Sequence, residues 1–358
     1  LFARSEINMG VDAFRDSLYA MLKRNTFLNI KFENMLDTLG EMSRTDLYSY
    51  LKEWEQLTPL PFYSIGEPEL TKVVNKGGEE FFVLKVLVSN NSDYDGIIQM
   101  NVLQNGWWYQ PMEDPRARKK VEIAAHTSKE FVSVWEEQIR DVEINTMVSG
   151  NLPYMIRQSI GNVKQERNKI VKDTIYTLPE SSLEMPGEVI VDNEDSTLFV
   201  LSTPAVVGLL PKWLDKVEDT SFKYSGISWW RAPLQWTATT NAKYYGKYIR
   251  SAYVIKSGDG SQTATWKIPV PEAGQYELYY HVFKDDELRW NDRLQGEYHF
   301  RVAYDSEMED AYINLRKANE GWEQLGTYYF SADTVRVVLT DECKLRSVTA
   351  DAVKIVKR

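Results

Sequence analysis

Four consecutive residues, Arg289, Trp290, Asn291 and Asp292, combine one flat aromatic face with a cation, an amide and a carboxylate. Sugar rings present C–H faces that stack on indole, while guanidinium, amide and carboxylate groups hydrogen-bond hydroxyls. Trp229 and Trp230, followed by Arg231, repeat the theme, and so do Trp107, Trp108 and Tyr109. All three groups fall in expected loops or strand ends. Two readings stand for them: a glycan-binding surface carried by Arg289, Trp290, Asn291, Asp292, Trp229 and Trp230, or large aromatics anchoring an interface between domains.

Other chemistry lacks its residues. The three histidines are His126, His281 and His299. None belongs to an H-E-x-x-H pair, so a helical zinc-hydrolase site is not expected. No G-x-S-x-G elbow occurs, which leaves an α/β-hydrolase nucleophile unsupported. Gly258-Asp259-Gly260 lacks a phosphate-loop lysine and reads as a hairpin turn. Asp192, Asn193, Glu194 and Asp195 form the densest acidic run. Calcium binding through oxygens and a solvated turn are both open there, and the lack of EF-hand spacing favours the turn. His281 and His299 lie on neighbouring expected strands; a meeting of the two in space is open, and half-buried sheet histidines are the favoured reading. The chain is thus expected to hold no catalytic residue, no metal and no cofactor.

Composition narrows the partners. The 358 residues carry a net charge of −10, and the basic run Arg116, Arg118, Lys119 and Lys120 reads as one solvated loop, so nucleic acid is not an expected partner. No apolar run approaches the roughly 18 residues of a membrane helix. A single cysteine, Cys343, excludes an internal disulfide. The chain opens on Leu1, and targeting segments and a further domain of the same polypeptide are expected upstream.

The elements that must position these residues are mainly β. Residues 1–61 read as a helical segment ending an upstream domain. Val11, Phe14, Leu18, Met21 and Leu22 mark one apolar face. Phe32, Met35, Leu36 and Leu39 mark a second, and Leu47, Tyr50, Leu51, Trp54 and Leu57 a third. Ser43 is the expected N-cap of the last helix, with Asp46 in its first turn. Residues 62–148 alternate with period two at Phe82, Leu84, Val86 and Val88 and again at Ile98, Met100 and Val102. The turn formers from Asn90 to Gly96 predict a hairpin between these runs, and the whole reads as a small antiparallel β-sandwich. Residues 149–187 read as a connector in which Lys164 to Lys172 is a helical stretch. Residues 188–358 are strand-rich, with Ala264, Trp266, Ile268, then Tyr276, Leu278, Tyr280, Val282, then Tyr298, Phe300, Val302, then Val335, Val337, Leu339 alternating. A helical insert is expected from Val206 to Val217.

This last region resembles the golvesin-like domain, a xanthan-lyase-type, carbohydrate-binding-like module found at the ends of bacterial polysaccharide lyases and other surface proteins. The carrying residues, in order, are Val189 to Asn193, Tyr244-Tyr245-Gly246, Gly258 to Gly260, Ala264 to Trp266, Pro271 to Tyr276, Trp322 to Tyr328 and Ala350 to Val353. The resemblance implies a golvesin-like β-sandwich at residues 188–358 and a periplasmic, cell-surface or secreted location. Residues 1–148 more faintly resemble the tail of a gluzincin zinc aminopeptidase, through Phe32 to Leu39, Thr45 to Trp54 and Leu60-Pro61. Physically, Trp266, Tyr276 and Trp322 read as core, and Asp351 as a strand-end hydrogen-bonding residue. The expected role is a non-catalytic accessory region of a larger protein, binding polysaccharide or glycan or positioning a neighbouring domain. The alternatives are the C-terminal part of an aminopeptidase-like protein and a purely structural packing module.

Overall fold

The computed structural model describes residues 1–26, 28–56, 60–104, 114–161, 163–167, 171–180, 187–202, 222–227, 231–284 and 296–358. The chain is mainly β and divides into two compact units, Leu1–Leu183 and Glu184–Arg358.

The first unit opens with helices α1 (Phe2–Met9), α2 (Val11–Arg24), α3 (Phe32–Ser43) and α4 (Leu47–Gln56). Their core is small: Phe14, Met21, Leu36, Leu39 and Leu47 are buried together. The apolar stripe is wider than the face that packs, since Leu22 and Phe32 remain exposed. Ser43 closes α3 instead of opening α4, and its hydroxyl donates back to the Leu39 carbonyl at 2.7 Å. The cap of α4 is Asp46, whose Oδ1 accepts the Ser49 N–H at 2.9 Å. That hydrogen bond with the Ser49 backbone, and one with its hydroxyl, hold the Asp46 carboxyl below its ordinary value.

Ten strands follow: β1 (Tyr63–Ile65), β2 (Glu69–Val74), β3 (Glu80–Asn90), β4 (Gly96–Gln104), β5 (Arg118–Ile123), β6 (Thr127–Trp135), β7 (Ile139–Asn145), β8 (Met155–Ser159), β9 (Lys164–Arg167) and β10 (Thr174–Pro179). One sheet has the order β10-β6-β3-β2-β9, with β1 also on β3, and the other has the order β5-β4-β7-β8. Leu84, Val86 and Phe131 of the first share one core with Ile98, Met100 and Ile144 of the second. The expected hairpin is therefore a crossover, because β3 and β4 belong to different sheets. Buried Asn90 builds it: its amide donates to the carbonyls of Tyr94 at 2.7 Å and Ile123 at 3.0 Å. Turn residues report a reversal of the chain; they do not report which sheet the next strand joins.

The expected connector also contributes strands. β8 pairs β7, β10 pairs β6, and β9 runs parallel to β2, so Lys164–Arg167 is extended and not helical. Much of the basic run lies in β5 and not in a loop. Lys120 pairs with Glu6, and Arg116 with Asp114 at 2.7 Å.

The second unit carries β11 (Glu188–Val191), β12 (Phe199–Leu201), β13 (Thr237–Thr240), β14 (Ser251–Lys256), β15 (Thr263–Pro269), β16 (Gly274–Val282), β17 (Glu297–Tyr304), β18 (Glu307–Asn314), β19 (Gly321–Phe330), β20 (Thr334–Thr340), β21 (Ser347–Ala350) and β22 (Val353–Lys357). They form a four-stranded sheet (β11-β22-β16-β19), a five-stranded sheet (β12-β15-β20-β17-β18) and a three-stranded sheet (β13-β14-β21). The inward residues of the alternating runs meet in one core, with Trp266, Tyr276, Tyr280, Phe300 and Phe330 buried in it. The expected helical insert lies outside the described residues. Gly258 to Gly260 does not turn a hairpin, because β14 and β15 lie in different sheets. Asp341 holds this turn, its Oδ1 accepting the Gly260 N–H at 2.8 Å. A Cβ at Gly258 would stand 2.1 Å from Asp341 Oδ2, which is why glycine is needed there.

Candidate functional site

Arg289, Trp290, Asn291 and Asp292, Trp229 and Trp230, and Trp107 to Tyr109 all lie outside the described residues. The remaining candidates are described, and they separate into closed clusters and one open face.

The acidic run is a closed turn. The Asp192 N–H donates to Asp195 Oδ2 at 2.8 Å, and Asn193 Nδ2 donates to Ser251 Oγ at 2.7 Å. Glu194 accepts from Tyr224 Oη at 3.0 Å and pairs with Lys223. Those donors hold the Glu194 carboxyl below its ordinary value against the opposing effect of burial. Asp192 keeps a strip of residue surface, but its carboxyl is enclosed. Burial first, then the neighbouring Asp351 charge, pushes it well above the usual range. Among the described residues no group of acidic, His or Cys side chains has the makings of a metal site.

Asp351 follows β21 and is wholly buried. Its carboxylate accepts the Tyr245 N–H at 3.1 Å and meets His281 Nδ1 at 2.8 Å, as its strand-end position leads one to expect. A carboxylate acceptor fixes the imidazole with its proton on Nδ1. Burial raises the Asp351 carboxyl, with His281 pulling the other way. Trp322 is half-buried beside this pair: the Tyr245 and His281 rings lie 5.1 Å from it, and Lys354 Nζ sits 4.9 Å over its ring. Lys354 is itself paired with Glu188 at 2.8 Å. Carboxylate, imidazole and ammonium are matched inside the protein, so this cluster braces the four-stranded sheet.

His281 and His299 do not meet, because β16 and β17 belong to different sheets. His126, in the first unit, bridges Asp93 at 2.8 Å and Glu180 at 2.7 Å, and those carboxylates raise its pKa.

His299 belongs to the outward face of the five-stranded sheet. With Tyr298, Phe300 and Val302 turned inward, His299 and Arg301 turn outward. By the same alternation Tyr312 and Asp310 of β18, Arg336 and Val338 of β20, and Thr265 and Lys267 of β15 share that face. Cross-strand register sets His299 beside Tyr312, Arg301 beside Asp310 and Val338, and Arg336 beside Lys267. The Tyr312 ring lies flat on the His299 imidazole, 4.9 Å between centroids and 9° between planes. Tyr312 is 58% exposed, so the face away from His299 is open to solvent. Asp310 at 2.8 Å and Glu342 at 3.2 Å fix the imidazole beneath it.

The cations of this face are not matched. Arg301 Nε is buried without a hydrogen-bond partner. Neither Arg301, Arg336 nor Lys267 makes an ion pair or side-chain hydrogen bond among the described residues. Asp310, the cross-strand neighbour of Arg301, is directed to His299 instead. Arg301 as a whole is only half-buried, so the rest of its guanidinium remains open to a ligand oxygen. The face can therefore stack a ring on Tyr312 and donate hydrogen bonds from Arg301 beside it. Its outward positions are the complement of inward runs recognised in the sequence; only the strand order that unites them was missing.

Residues 229–357 match the family Golvesin C-terminal domain. The resemblance of residues 1–148 to an aminopeptidase tail is not borne out; its Thr45-Asp46-Leu47 motif is accounted for by the cap of α4. No curated protein sequence matches the chain. Similar solved structures include a Bacteroides uniformis beta-glucuronidase 2 covalently bound to cyclophellitol-6-carboxylate aziridine, at 11% identity and TM-score 0.23, over 88% of this chain and 32% of that one. A second Bacteroides uniformis beta-glucuronidase structure gives 11% and 0.22 over the same shares, 88% and 32%. A structure of Sulfolobus turreted icosahedral virus gives 10% and 0.17, over 84% of this chain and 94% of that one. The chain spans about a third of the glucuronidase chains. At these TM-scores the likenesses carry no argument.

Proposed function

We propose that this chain, whose C-terminal unit carries a golvesin C-terminal domain, is a non-catalytic accessory region that holds a saccharide on the outward face of its five-stranded sheet. The observation that carries the reading is the Tyr312 ring, exposed on one side and backed on the other by a fixed imidazole. A platform already immobilised loses little entropy when a sugar ring settles on it. In the first unit two sheets around a shared core support a β-sandwich reading, whereas the second unit adds a third, three-stranded sheet to its core and is not the simple two-sheet sandwich expected. A golvesin domain fits a periplasmic, cell-surface or secreted protein, and among the described residues no helix is long and apolar enough to cross a membrane.

The test is retention of the whole chain in gels containing soluble polysaccharides. Retention that Tyr312→Ala weakens about tenfold, with the melting temperature unchanged, supports the reading. A wild-type chain that runs freely in every polysaccharide gel overturns it. The purified chain is also expected to hydrolyse neither aminoacyl nor glycoside substrates; saturable turnover by it would refute the non-catalytic assignment.

A further inference from the structure

The protein as a whole carries ten more acidic than basic residues, 52 against 42. Against that background the outward face of the five-stranded sheet holds three cations that make no ion pair among the described residues. Arg301, Arg336 and Lys267 come from β17, β20 and β15, and the register places Arg336 next to Lys267 and one step along from Arg301. They are not spread by mutual solvation on a loop. They stand on the rigid middle strands of a sheet whose other side is packed core. The acids nearest to them are already engaged, Asp310 and Glu342 by His299. Tyr312 lies at one end of this basic row, on the edge strand β18.

We infer that the saccharide taken by this face is anionic: a carboxylate-bearing polysaccharide, one ring of which stacks on Tyr312 while carboxylates of that or a following residue meet Arg301, Arg336 and Lys267. This rests on reading the face as a saccharide platform, and adds the charge of the ligand. A guanidinium presents parallel N–H donors that match a carboxylate in two bonds, a geometry that a neutral hydroxyl uses only in part. Strand spacing of roughly 4.8 Å sets Arg336 and Lys267 about one sugar width apart across the sheet. A linear polymer lying across the strands would thus find repeated cations and not one.

The experiment is affinity electrophoresis of the whole chain in polygalacturonate and alginate, and in the esterified form of each, where the carboxylates are masked without changing the sugar ring. The expected result is retention by an acidic polymer at least about tenfold stronger than by its ester. Added salt should weaken that retention. Arg336→Gln, on an exposed side chain, and Arg301→Gln should each bring the acidic polymer close to its ester, while Tyr312→Ala weakens retention by both forms. Equal retention by acid and ester would overturn the charge inference and leave the saccharide reading standing. Free migration in all four gels would overturn both. Retention by polyglutamate equal to that by the acidic polysaccharides, and indifferent to Tyr312→Ala, would show a general polyanion surface and overturn the inference as well.

Discussion

The C-terminal unit holds two histidines that meet aromatic rings and carboxylates, and they belong to opposite kinds of surface. His281 stands over buried Asp351 and against Trp322, with Lys354 drawn in and paired to Glu188. The donors and acceptors there are matched within the protein, and the rings are half-buried. His299 also takes carboxylates, Asp310 and Glu342, but its ring is the underside of an exposed Tyr312, and the cations beside it make no ion pair among the described residues. The same residue types thus build a brace in one place and a receptive face in the other. What separates them is whether the polar groups are satisfied before a ligand arrives.

The comparison is broken most easily at the brace. Asp351→Ala removes the acceptor of His281 Nδ1 and of the Tyr245 N–H inside a wholly buried site. It is expected to lower the stability of the C-terminal unit by about 3–5 kcal/mol in urea unfolding. A loss below about 1 kcal/mol would mean that the cluster is not a brace. Tyr312→Ala should do the reverse. Saccharide retention should fall about tenfold, with a melting temperature within a degree or two of wild type.

Asp192 is raised well above the ordinary carboxylate range by burial and by Asp351. An acid raised on folding favours the folded state while protonated. Its contribution is complete at pH below the ordinary carboxylate value and is lost as pH climbs through the raised one. Stability of the C-terminal unit is therefore expected to decline from mildly acid toward neutral pH, and Asp192→Asn to flatten much of that slope. Asp351, raised in the same direction, accounts for what slope remains. An unchanged slope in the variant would show that Asp192 ionises freely. The smallest effect is expected from Trp290→Ala, which should reduce saccharide retention less than Tyr312→Ala does. A larger loss at Trp290 would move the platform to the residues first singled out in the sequence.

Alternation was legible wherever one side of a strand is core. Ala264, Trp266 and Ile268, or Val335, Val337 and Leu339, are spaced by two because their side chains enter one interior. Partner choice was not legible, and each correction follows from that. Asn90 to Gly96 joins two sheets, Lys164–Arg167 completes a sheet begun at Glu69, and His281 and His299 part company. Lys267, Arg301 and Arg336 are some 35 residues apart in sequence at each step. Only register makes them neighbours, so no local motif announced them, whereas Arg289 to Asp292 drew attention by being contiguous. The helical segment failed differently: Ser43 and Asp46 both have capping side chains, and only the left-handed Arg44 that ends α3 decides between them.

The order β11-β22-β16-β19 has a consequence for how this unit comes into being during synthesis. Its last strand does not lie at the rim; Val353–Lys357 is inserted between Glu188–Val191, made first, and Gly274–Val282. A nascent chain leaving the ribosome would present β11 without its neighbour until residue 357 has emerged. Until then the four-stranded sheet has a gap and two unpaired edges. Loop closure over some 165 residues must then be completed in a single late step. Such a unit is all or nothing with respect to its tail. Ribosomal stalling or proteolytic nicking a few residues short of Val353 would leave an open, adhesive intermediate, the form that chaperones and quality-control proteases recognise.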